Sequence, residues 1–113
     1  MNFENKIMPF FWTEHEEMAS VCLNVGEYCK DVFEIRASEG FLGNGYDWES
    51  LATVFLEEKM PNLIEEIQFD SEAGMFCVYS ENKKALKKFV LEFKQACEDK
   101  KLIKDLFSRA ELN

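Results

Sequence analysis

The chain has 113 residues, the size of one domain spanning 1–113 with a single core. Its formal net charge of −9 argues against binding a phosphate backbone, a task for Lys and Arg, so no nucleic-acid partner is expected. Apolar residues make up 47%, but they form no run of about 18, which excludes a membrane-spanning helix.

The charge is unevenly spread. Residues 31–80 carry only Arg36 and Lys59 against eleven acids, whereas residues 81–113 carry a surplus of cations. An acidic block suits a basic partner, because complementary fields speed encounter; the plainer alternative is that it maintains solubility. The N-terminus lacks a basic n-region, an apolar h-region and a small-residue cleavage site, so no signal peptide and a cytoplasmic location are expected. The four cysteines, Cys22, Cys29, Cys77 and Cys97, are irregularly spaced without a CxxC pair, and His15 is the single histidine. A zinc site would need at least three of those cysteines to converge, so the expectation is reduced core thiols with no metal.

In chain order, Pro9–His15 is an aromatic strand candidate. Met18–Val25 alternates, with Val21, Leu23 and Val25 on one side and Cys22 and Asn24 on the other, and pairs with it as a hairpin. Asp31–Glu39 reads as a short helix, with Val32, Phe33 and Ala37 as its apolar side and Gly40 as its stop; Ile35 fits that side poorly. The loop GFLGNG leads into a helix running to Lys59, with Asp47 as N-cap, Glu49 in its first turn and a stripe of Trp48, Leu51, Ala52 and Phe55. Pro61 starts a short helix, PNLIEEI. Ile67–Asp70 and Met75–Ser80 form a second hairpin. A long helix over 82–97 carries Leu86, Phe89, Val90, Phe93 and Cys97, and Asp99 caps a last helix with Leu102, Ile103, Leu106 and Phe107. The order β-β-α-α-α-β-β-α-α predicts an α+β fold: a small antiparallel sheet from two β-hairpins with helices packed on one face.

Catalytic patterns are absent: no GxSxG, P-loop or HExxH occurs, and His15 has no nucleophile motif beside it. The glycine loop lacks GxGxxG, and Asp47 and Glu49 behind it would repel phosphate. The pairs Glu57–Glu58, Glu65–Glu66 and Glu16–Glu17 are adjacent residues, which do not face one another on a helix, and read as solvated faces. No cofactor is expected. Binding remains. Within YDWE, Trp48 belongs to the core stripe and Asp47 to the cap, while Tyr46 and Glu49 are the better placed to meet a partner.

The segments PFFWTEHE, SVCLNVGEY, GNGYDWESLATVFLEEK, FDSEAGMFCVYSENKKALKKF and ACEDKKLIKDLFSRAEL together resemble the immunity protein 51 family of bacterial polymorphic toxin systems, over about residues 9–112. The block GNGYDWESLA is the most specific part. The resemblance implies a cytoplasmic, non-enzymatic antitoxin whose partner is a cognate toxin domain, delivered by a neighbouring cell or made by its own. It leaves open whether the toxin is a nuclease, a deaminase or a peptidase, and whether the chain is a monomer or a homodimer. The acidity adds an expectation: a face including Glu49, Glu57 and Glu58 blocks a basic toxin active site that normally holds nucleic acid. The candidate toxin-binding residues are therefore Tyr46, Glu49, Glu57 and Glu58, with Asp47 and Trp48 in the same block. The competing reading is an intracellular protein-binding or adaptor module with no toxin partner, homodimeric through its aromatic surface.

Overall fold

The computed structural model describes residues 2–112. Its elements are α1 (Phe3–Ile7), β1 (Phe11–Glu14), β2 (Ala19–Asn24), α2 (Lys30–Glu34), α3 (Gly45–Lys59), β3 (Gln68–Phe69), β4 (Met75–Ser80), α4 (Lys83–Glu98) and α5 (Lys100–Phe107), with single 3-10 turns at Ala37–Glu39 and Pro61–Leu63. The fold is α+β.

Both expected hairpins form, and they join along their inner strands. The sheet is antiparallel throughout, in the order β1-β2-β4-β3. Across the central pair Val21 lies opposite Val78 and Cys22 opposite Cys77. Period-two alternation puts Ala19, Val21, Leu23, Phe76 and Val78 on one buried face, which α3 and α4 cover. The other face carries Phe11, Cys22, Cys77 and Tyr79 and is half-exposed. Cys22 and Cys77 are thus not the core thiols expected of them; only Cys29 and Cys97 are buried.

Trp48 is fully buried at the centre of the core. Its ring lies 5.1 Å from Phe33, 5.8 Å from Phe76, 6.0 Å from Phe10 and Phe93, and 6.1 Å from Tyr28. The rings are mostly edge-to-face or tilted, the arrangements their quadrupoles favour. The Nε1–H of Trp48 has no hydrogen-bond acceptor among the described residues. The stripe Leu86, Phe89, Val90, Phe93 and Cys97 of α4 is buried as its spacing requires, and Asn82 caps that helix by accepting from Ala85 N–H. Asp99 ends α4 and caps α5 through Leu102 N–H.

Four local expectations need correction. The helix expected over Asp31–Glu39 stops at Glu34 and resumes as a 3-10 turn, leaving Ala37 exposed; between them the Arg36 backbone leaves helical angles, at φ −115° and ψ 26°, and its side chain reaches another element. Its guanidinium donates to the Phe107 and Ala110 carbonyls at 2.6 and 2.7 Å, tying this turn to the end of α5 and the segment after it. The PNLIEEI helix is a 3-10 turn at Pro61–Leu63. Strand β3 shrinks to two residues, because the Ser71 hydroxyl bonds the backbone of Cys77 where a ladder bond would continue. The fourth concerns the start of α3: its N-cap is Asn44, not Asp47. Helix α1 was not foreseen; its five residues are too short to show periodicity.

Candidate functional site

The start of α3 organises the region. Asn44 Oδ1 accepts from Asp47 N–H at 2.9 Å, and the Asp47 carboxylate reaches back to the Leu42 and Gly43 N–H groups at 2.7 and 2.8 Å, so a capping box extends into the glycine loop. Asp47 is 3% exposed. Gly43 holds φ +78°, a conformation other side chains rarely adopt. Gly45 serves differently: a Cβ there would lie 1.9 Å from the Glu72 carbonyl oxygen, so only glycine lets α3 dock on the β3–β4 turn. Two hydrogen bonds secure that docking, from Gly45 N–H to the Ala73 carbonyl and from Ser71 N–H to Glu49 Oε2, both 3.0 Å.

The six residues singled out in the sequence divide accordingly. Asp47 and Trp48 point inward. Glu49 is half-buried and committed to Ser71 rather than standing clear in solvent. Tyr46 is 44% exposed at the head of α3, and Ser50, Thr53 and Glu57 continue its face at helical spacing. Glu58 is exposed beside them, held by Arg109 in a two-pronged ion pair, Nε to Oε2 at 2.6 Å and Nη2 to Oε1 at 2.7 Å. Arg109 also takes Asp105 at 2.9 Å.

These contacts build a groove of about 390 Å³ lined by Glu49, Ser50, Thr53, Val54, Glu57, Arg109 and Glu111. It joins α3 to the segment after α5. Arg109 brings positive charge to the groove, but Glu58 and Asp105 already share it. The Arg109 hydrogen bonds hold both carboxyls below their ordinary values of 4.5 and 3.8, and the two carboxylates raise Arg109 in turn. Arg109 and Glu111 were missed in the sequence. They lie some fifty positions from Glu57 and Glu58, and no local pattern links them.

The groove's polar lining is carboxylates, two hydroxyls and one guanidinium, with no histidine or cysteine. His15 sits exposed at the tip of the β1–β2 hairpin, in a shallow depression lined also by Glu16, Glu17 and Met18, none a nucleophile. Among the described residues no three His, Cys, Asp or Glu side chains gather to hold a metal ion. None of the described helices is long and apolar enough to cross a membrane.

No curated protein and no solved structure matches the chain. The profile of one family does, the family described as Immunity protein 51, and the match runs over residues 10–112. It takes in both hairpins, the α3 docking block and the whole groove. The chain belongs to the immunity protein 51 family.

Proposed function

We propose that this chain neutralises a cognate bacterial toxin by laying the acidic face of α3 against a basic active-site surface. Family membership carries the coarser role, an immunity protein acting against a toxin. Immunity proteins generally act by binding rather than turnover. The observation favouring this surface is the groove itself: Glu49, Glu57 and Glu111 line it, and its guanidinium is already neutralised. Tyr46 supplies an aromatic anchor at one end, and Glu57 and Glu58 supply charge at the other. A cationic cleft built for nucleic acid is the complementary surface, which makes a nuclease the favoured toxin class. The proposed setting is the cytoplasm, with the chain acting as one domain; monomer or homodimer is for sedimentation to decide.

Co-expression with a toxin encoded beside it, where there is one, should restore growth and co-purify both chains. Given that complex, Glu57→Lys and Glu111→Lys are the informative variants, because Glu49 and Glu58 also hold the fold. Charge reversal there should slow association by about tenfold at low salt and flatten its salt dependence. Unchanged affinity at both low and high salt would remove the groove from the interface. An adaptor role is favoured instead if no toxin is encoded nearby and the chain self-associates through its exposed aromatics, Phe11 and Tyr46.

A further inference from the structure

The four cysteines fall into two neighbouring pairs on different parts of the molecule. Cys29 and Cys97 lie inside, 6% and 1% exposed, with the Cys29 thiol directed at the Cys97 carbonyl 3.9 Å away. Cys22 and Cys77 lie on the half-exposed face of the sheet, directly opposite each other on β2 and β4, with their sulfurs 2.6 Å apart.

The backbone pattern sharpens this. The N–H of Cys77 donates to the Ser71 hydroxyl and its carbonyl accepts from Asp70 N–H, so both its polar groups point toward the β3 side. One residue pair beyond the strand ends, Val25 N–H donates to the Gly74 carbonyl. Hydrogen-bonded pairs alternate along an antiparallel ladder, so Cys22 and Cys77 occupy a non-hydrogen-bonded pair. That is the closer of the two pair types, with Cα atoms about 4.5 Å apart, inside the window of about 4.4–6.8 Å that a disulfide needs.

We propose that Cys22 and Cys77 are a thiol-modification site that closes to an intramolecular disulfide when it meets a low-molecular-weight disulfide. One cysteine, as thiolate, attacks the small disulfide; a protein–small-molecule S–S bond forms and one small thiol leaves, carrying the proton the cysteine lost. The second cysteine attacks the protein sulfur of that mixed disulfide, the Cys22–Cys77 bond forms, and a second small thiol leaves. Two protein thiols are oxidised and one small disulfide is reduced to two thiols.

The surroundings set the rate rather than the outcome. Burial, the neighbouring Cys77 thiol and the Asp70 carboxylate push the Cys22 thiol up to about 12, so Cys22 itself is a poor attacking thiolate at neutral pH. Cys29 has the opposite bias, because its hydrogen bond with Cys97 holds it below its ordinary 9.0. Access decides against that pair, which lies under the surface.

The test uses the full-length wild-type chain, incubated natively with oxidised glutathione at mildly alkaline pH. Expected are the loss of two of the four free thiols, a Cys22–Cys77 cross-linked peptide after digestion, and a Tm raised by roughly 10 °C, all reversed by dithiothreitol. Cys22→Ser and Cys77→Ser should each lose the cross-link, and Cys29→Ser should keep it. Four persistent thiols, a glutathione adduct without an internal bond, or a cross-link between Cys29 and Cys97 would each overturn the proposal. The wild-type mapping decides even if a serine variant fails to fold.

Discussion

At the scale of single residues, the glycine-rich loop before α3 separates two reasons for using glycine. Gly43 is there for a backbone angle, and Gly45 for lack of a side chain. Helix propensity alone would favour alanine at position 45 by up to about 1 kcal/mol. The clash with the Glu72 carbonyl opposes it, and overpacking typically costs about 1–3 kcal/mol. Gly45→Ala should therefore destabilise the protein by about 2 kcal/mol in urea unfolding, whereas Gly74→Ala, with nothing within 4 Å of its added Cβ, should stay within about 0.5 kcal/mol. Equal effects at the two positions would mean that the docking of α3 on the hairpin turn contributes little. Position 45 was not legible in the sequence, because the atoms it must avoid come from another element. The cap was legible: Asn44 followed three residues later by Asp47 is a capping-box pattern, and taking Asp47 as the cap overlooked the residue it reciprocates.

At the scale of elements, α4 and α5 were readable because their apolar stripes are long and the residues off the stripe are charged. Helix α2 and strand β3 were overestimated next to side chains that bond other elements, Arg36 to the end of α5 and Ser71 to β4, which no local pattern shows. The fastening of α3 to the end of α5 by Arg109 makes a pH-dependent prediction. Folding lowers the proton affinity of Glu58 and Asp105, so the stabilisation is complete above their ordinary values of 4.5 and 3.8. It is lost as pH falls through the lowered folded values. Arg109→Ala should melt below wild type at neutral pH, with a modest margin that closes in acid and shrinks in high salt. Melting curves across pH check this; a margin independent of pH would show that Arg109 acts through packing alone.

At the scale of the whole molecule, the sequence indicated the fold class, the two hairpins and an acidic middle, because each rests on local pattern or on simple counting. It could not show that the acids of α3 would meet Arg109 and Glu111 in one groove, since that meeting depends on how α5 crosses α3. Nor could it show that the four cysteines would sort into one sheltered and one half-exposed pair.

The position of β2 and β4 at the centre of the sheet has a consequence for time as well as structure. Each hairpin closes locally, but the central pairing joins residues such as Cys22 and Cys77, 55 positions apart, and cannot form until the segment containing α2 and α3 is gathered in. A chain still emerging from the ribosome therefore holds β2 with one edge unpaired until β4 has been made. In stopped-flow refolding, Val78→Ala should act mainly by speeding unfolding, and Val90→Ala in α4 should slow folding more. The opposite ranking would place the central strands in the folding nucleus and make the midline of the sheet the first part of the molecule to assemble.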